Sequence, residues 1–249
     1  MQPKLTVSGY RGIWGETLTE DIARAYARAF GAFILSRQGT RILIGRDSRT
    51  SGKALAIAVA DELTKLGIHI IDLGMVSTPT VIFAVRESGA DGAVIVTASH
   101  NPIAYNGLKF VTKSAEFTNE SEVTEILRLK DSPSERDVRR GSVTEMQDAF
   151  DKYMAKLLEH IDVAAIAAKK FHVALDPINS VGCTSTPKLF QALNVTSSII
   201  NGEPTGLFAH EPEPLPKNLG GLRDAVLAAG CAVGFRSEER FSRNAETAM

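Results

Sequence analysis

Hydrophobic positions along the chain recur at two spacings. In "TEDIARAYARAFGAFIL" (Thr19–Leu35), Ile22, Tyr26, Ala29, Phe30 and Phe33 fall on one face of a helix. Thr19 stands at the N-cap position, and Glu20 and Asp21 suit the positive end of the helix. "RILIG" (Arg41–Gly45) is a short apolar run ending in glycine, which predicts a buried strand. "SGKALAIAVADELTKLG" (Ser51–Gly67) predicts a helix capped by Ser51 and stopped by Gly67. "IHIIDLG" is a strand, "TPTVIFAVRESG" a helix with proline in its first turn, and "GAVIVTAS" and "GLKFV" are strands.

From Phe117 to Arg140 the pattern changes. "TNESEVTEILRLKDSPSERDVRR" is charged and predicts one helix followed by an exposed connection. A second alternating block follows. "EMQDAFDKYMAKLLEHI" reads as a helix with Met146, Phe150, Tyr153, Met154, Leu157 and Leu158 on one face. "FHVALD" is a strand, "TSTPKLFQAL" a helix, "TSSIIN" a strand, "LRDAVLAAG" a helix, and "CAVGF" begins a strand. The alternation predicts an α/β protein of three-layer α/β/α domains with mixed, mostly parallel sheets. Two successive similar domains are expected at 1–140 and 145–235, the second incomplete, with an atypical charged tail at 236–249.

Composition narrows the function classes. The 249 residues are 44% hydrophobic with a formal net charge of −1, so no strong field recruits nucleic acid or anionic lipid. No apolar run approaches the roughly 20 residues that span a bilayer, so no membrane partner is expected. "MQPKLTVSGYRG" lacks the apolar core of a signal peptide. Cys183 and Cys231 form no CxxC or zinc pattern. Two reduced thiols in a cytoplasmic protein are the expectation.

In open α/β sheets, ligands bind beyond the carboxyl ends of the strands. Three polar clusters fall in such places: "SGYRGIWGE", "GRDSRTSG" and "TASHNP". Nucleotide motifs fail. No GxGxxG follows a strand. In "GRDSRTSGKA" six residues separate Gly45 from Gly52, and Ala54 stands where a P-loop needs Ser or Thr. Nor does Ser99 sit in a GxSxG elbow. What remains is a serine beside cationic side chains, a composition suited to phosphoryl transfer. His100 and Lys109 are candidate proton carriers; Arg11, Arg46 and Arg49 are candidate holders of phosphate oxygens. Each cluster alone also reads as ordinary structure. Asn101-Pro102 and Asn106-Gly107 are turn formers, and "GRDSR" is a helix-entry loop with a local ion pair.

"TASHNPIAYNGLK" resembles the active-site serine motif of the α-D-phosphohexomutases, the family of phosphoglucomutase, phosphomannomutase and phosphoglucosamine mutase. "YRGIWGETLT" and "GRDSRTSG" are similar to that family's N-terminal segments, and "DPINSVG" and "HEPEPLPKNL" to its second domain. The resemblance implies that Ser99 carries a phosphoryl group and exchanges it with a hexose phosphate through a hexose bisphosphate. Phosphate thereby moves between the 1- and 6-positions, in carbohydrate metabolism. It implies His100, Lys109 and Arg11 as catalytic residues, with Arg46, Arg49 and Asn101 binding substrate. It also implies Mg2+ held by the phosphate on Ser99 and by an aspartate loop after the strand "CAVGF". That loop is not found: Phe235 is followed by "RSEERFSRNAETAM", and no aspartate occurs after Asp224. The expectation is therefore an N-terminal two-domain portion of a mutase. The alternative is a non-catalytic sugar-phosphate-binding or structural remnant of one.

Overall fold

The computed structural model describes residues 4–130 and 138–236. Part of the connection expected before Arg140, and the tail after Arg236, lie outside the described residues. The first sheet has six strands: β1 (Tyr10–Ile13), β2 (Arg41–Arg46), β3 (His69–Met75), β4 (Gly92–Val96), β5 (Tyr105–Thr112) and β6 (Val143–Glu145). Their spatial order is β1-β5-β4-β2-β3-β6. β5 runs antiparallel to both β1 and β4; every other pairing is parallel. The second sheet has three parallel strands among the described residues, β8 (Thr196–Ile199), β7 (His172–Asp176) and β9 (Val233–Arg236), with β7 in the middle. The mixed, mostly parallel α/β architecture is as expected.

Helices cover both faces of the first sheet. α1 (Glu20–Ser36), α2 (Gly52–Lys65) and α4 (Glu120–Lys130) lie together, with α1 packed against both of the others. Their core centres on Phe30, which stacks on Phe110 of β5 at 4.6 Å and on Phe33 at 5.9 Å. Thr19 does cap α1, accepting from the Ile22 N–H, a bond whose loss costs about 1 kcal/mol. Ser51 makes no such cap bond; its hydroxyl instead accepts from the Asn106 side chain. The other face carries α3 (Thr78–Ser88), which ends at Gly89 in the left-handed conformation.

α5 (Ala149–Leu158) leans on α3, and the Tyr153 ring lies 5.5 Å from that of Phe83. The helix read over Glu145–Ile161 thus starts later, because Val143–Glu145 pair with β3 as an edge strand. Packing of the first sheet therefore continues past residue 140: Ala149 is buried in the same core as Val81 and Ile95. α6 (Val163–Ala168), α7 (Gly182–Ala192) and α8 (Gly220–Ala228) accompany the second sheet, whose buried cluster is Val173, Leu175 and Phe190. Among the described residues no helix is long and apolar enough to cross a membrane.

This topology places the chemistry. The chain leaves β2 to form β3 on one side, then returns past β2 to form β4 on the other. Loops leaving the carboxyl ends of β2 and β4 therefore meet at the reversal of strand order, where such sheets bind ligands. The Asp47 N–H donates to the Val96 carbonyl at 3.0 Å and joins the two loops at their start.

Candidate active site

Ser99 lies three residues beyond the end of β4, with φ +56, in the left-handed region that non-glycine residues seldom adopt. Its N–H donates to Thr97 Oγ1 at 3.0 Å. Its Oγ lies 3.4 Å from His100 Nδ1, long for a hydrogen bond. Both side chains line a cavity of about 70 Å³ between the two sheets. Asp47 shares their wall; Ser180, Ser185 and Arg236 face them from the second sheet's side. Ser180 precedes α7 and Ser185 lies in its first turn, where the helix dipole favours negative charge.

Arg49, expected to bind substrate, has another role. It is 1% exposed, and all five of its side-chain N–H groups face this chain's own acceptors. Nε donates to Asp47 Oδ2 at 3.1 Å. Nη1 donates to the Pro102 and Tyr105 carbonyls, both at 2.8 Å. Nη2 donates to the Ser99 carbonyl at 2.8 Å and the Asn101 carbonyl at 2.7 Å. No donor remains for a phosphate, because a guanidinium has five N–H groups in total. Arg46 ends β2 and donates to the Asp47 carbonyl at 3.2 Å.

Arg11 and Asn101 come together. Arg11 Nη1 donates to Asn101 Oδ1 at 3.0 Å, although 90 residues separate them in sequence. The pairing of β1 with β5, Arg11 opposite Gly107, brings this about. Burial lowers the Arg11 pKa, yet a guanidinium stays charged. Its Nε is buried without a hydrogen-bond partner, and it makes no ion pair among the described residues. Lys109 sits apart, 4% exposed in the middle of β5, with Nζ 5.4 Å from the Phe117 ring centre. It is not among the residues lining the cavity.

The Asn106-Gly107 pair is no turn, and the returning chain is already in β5 at Tyr105. Asn106 is buried, donating to Ser51 Oγ at 2.8 Å and accepting from the Gly107 N–H. Sequence reasoning passed over Asp47 and Thr97. Asp47 accepts from the Arg49 N–H, from Arg49 Nε and from Thr97 Oγ1, the last at 2.7 Å. Burial pushes its carboxyl up, while Arg49 and Thr97 pull it back down. An aspartate two residues before an arginine was the available signal, since that spacing lets its side chain accept from the arginine N–H. Asp176 and His210 form a second such pair at the end of β7, 2.8 Å apart.

Among the described residues the donor set does not fit the expected magnesium. Asp47 is already committed to three donors. Among the described residues no group of three or more His, Cys, Asp or Glu side chains could hold a metal. A hard divalent cation needs several oxygen ligands at once.

Residues 3–137 match the family model described as phosphoglucomutase/phosphomannomutase, alpha/beta/alpha domain I, and residues 151–238 match domain II. A phosphoglucosamine/phosphogalactosamine mutase of Sulfurisphaera tokodaii is 36% identical over 211 residues, which cover 83% of this chain and 46% of the relative. A phosphoglucomutase/phosphomannomutase of Thermococcus kodakarensis is 32% identical, covering 92% and 52%. The crystal structure of a phosphoglucomutase/phosphomannomutase family protein from Burkholderia thailandensis superposes with a TM-score of 0.79 at 30% identity, covering 93% of this chain and 51% of that one. The chain spans about half the length of the curated relatives it matches.

Proposed function

The chain belongs to the phosphoglucomutase/phosphomannomutase family, matching its domains I and II, and on that premise we propose that Ser99 is a phosphoryl carrier for a hexose phosphate. The observation that carries this reading is the position of Ser99 Oγ. It stands on the cavity wall at the reversal of strand order, 3.4 Å from an imidazole.

In the first half-reaction the free hydroxyl of a hexose monophosphate attacks the phosphorus on Ser99. The sugar O–P bond forms as the Ser99 Oγ–P bond breaks, and the proton lost by the attacking hydroxyl ends on the departing Oγ. In this reading His100, 3.4 Å from Oγ, relays that proton from the hydroxyl to Oγ, and back again in the reverse direction. The bisphosphate then turns over, and Ser99 Oγ attacks the other phosphorus, whose bond to the sugar oxygen breaks as the Oγ proton passes to that oxygen. Net, one phosphoryl group has moved between the 1- and 6-positions and Ser99 is phosphorylated again.

Phosphoryl transfer depends chiefly on positioning and charge stabilisation. Arg11, with a buried Nε lacking a partner, suits phosphate oxygens, and Asn101 orients it. Arg46 and the start of α7 add positive potential. Lys109 is proposed as a proton carrier on the resemblance alone. The relatives' names point to hexose and hexosamine phosphates as the substrate class and to an isomerase. A cytoplasmic location agrees with such substrates.

The test is phosphorylation of this chain by glucose 1,6-bisphosphate, read by intact mass and peptide mapping. One phosphoryl group on Ser99 is expected, and none on Ser99→Ala. An unchanged mass in the parent chain, or equal phosphorylation of Ser99→Ala, overturns the reading. Thermal stabilisation by glucose 6-phosphate without phosphoserine would instead favour the non-catalytic binder.

A further inference from the structure

We propose that Arg49, working with Asp47 and Thr97, is a positioning residue that holds Ser99 in its left-handed conformation and thereby aims Oγ into the cavity. A serine at φ +56 keeps that conformation only when its surroundings over-determine it. Ser99 is held at both of its backbone polar groups. Its N–H donates to Thr97 Oγ1 at 3.0 Å, and its carbonyl accepts from Arg49 Nη2 at 2.8 Å.

The two holds are one device. Thr97 has a single hydroxyl proton, and Asp47 Oδ2 takes it at 2.7 Å. That commits a lone pair of Oγ1 to the Ser99 N–H. The same Asp47 oxygen accepts from Arg49 Nε at 3.1 Å, so the fork that grips the Ser99 carbonyl is anchored on the carboxylate that orients Thr97. Arg49 grips Asn101, Pro102 and Tyr105 as well, so it spans the whole turn from Ser99 to the start of β5. The gripping side chains are buried: Arg49 is 1% exposed, Thr97 0% and Asp47 4%. A lysine could not substitute, because three donors on a point charge cannot match five in a planar fork.

The second sheet's side touches the same device. The Phe208 ring lies 4.9 Å from the Arg49 guanidinium carbon, and Ser48 Oγ donates to Ser180 Oγ at 2.9 Å. Gly206, at φ +74, lies so close that a Cβ there would stand 1.8 Å from the Ser48 carbonyl oxygen.

The activity readout of this proposal rests on Ser99 being the phosphoryl carrier; the conformational readout does not. The experiment compares the parent chain with Thr97→Val, Thr97→Ser and Arg49→Lys. The Ser99 backbone is read by its 13C shifts and its HN–Hα coupling in labelled protein. Phosphorylation is followed by mass after addition of glucose 1,6-bisphosphate. Thr97→Ser keeps the hydroxyl and should keep both the positive-φ signature and the phosphorylation rate. Thr97→Val, close in shape, should lose the signature and slow phosphorylation on the order of 100-fold. Arg49→Lys should do the same. If Arg49→Lys does not fold, the two Thr97 variants still decide. A positive-φ signature retained in Thr97→Val overturns the proposal. If the parent chain takes up no phosphoryl group, the carrier reading fails, and the backbone comparison still decides the positioning role.

Discussion

At the scale of single residues, Gly107 is tightly constrained between two backbone segments near the site. A Cβ added there would stand 2.4 Å from the Tyr10 carbonyl oxygen and 2.8 Å from that of Thr97. Both are backbone atoms of neighbouring segments, so neither can swing aside as a side chain would. Gly107→Ala should push β1 or the Thr97 segment away, lowering stability by about 1–3 kcal/mol. A urea melt checks this, and an unchanged midpoint would count against so close an approach. The Arg11–Asn101 bond should weaken with it, since Arg11 is paired with Gly107 across the sheet. None of this was legible locally. Asn before Gly is a strong turn signal, and only pairing with β1, nearly a hundred residues earlier in the chain, makes it a strand. The same limit hid the work of Arg49. Its residue type suited a phosphate, but four of its five acceptors come from a turn some fifty residues away.

Whole elements were legible where one face is buried and the other is not. α1, α2 and α3 fall close to the bounds that hydrophobic spacing predicts, because each lays an apolar stripe on the sheet. β1 and β6 were missed because they sit at the sheet's edges, and all three residues of β6 are exposed. Register, not hydrophobicity, defines them. Charge adds a link between α1 and α2 that spacing cannot reveal. Asp61 on α2 pairs with Lys65 on the same helix, with Arg24 on α1, and with Arg140. Hydrogen bonding to Lys65, then to Arg24 and Arg140, holds its carboxyl well below the usual carboxylate range. A carboxylate depressed in the folded state stabilises the fold at pH above its unfolded value of about 3.9, and that contribution is lost as pH falls through the folded value. Asp61→Asn should therefore cost about 1 kcal/mol near neutral pH. The difference from the parent should shrink once the pH drops below about 4. Chemical denaturation of both proteins from pH 7 to pH 3 measures this, and a gap independent of pH would argue that the pairs contribute nothing.

Across the whole molecule, the two sheets are unequally supported. In the first, β4 is buried at every residue and lies between cores on both faces. In the second, among the described residues, the buried cluster is Val173, Leu175 and Phe190, while Val233 and Phe235 of β9 are each 45% exposed. Burial of apolar surface contributes roughly 25 cal/mol per Å², so the second sheet has much less to offset the entropy of ordering its chain. It should open separately and more often than the first. Hydrogen exchange tests this directly: amides of β7 should exchange at least about tenfold faster than those of β2 and β4, a difference of roughly 1.4 kcal/mol in opening free energy. Equal protection in the two sheets would mean that they unfold as one unit, with the Ser48–Ser180 bond and the Phe208–Arg49 contact coupling them. Glucose 6-phosphate gives a second arm. A ligand held between Ser99 and the start of α7 binds only when both walls are folded, so it should slow exchange in β7 more than in β4. Slowing confined to β4 would place the ligand on the first sheet alone and remove the second wall from the site.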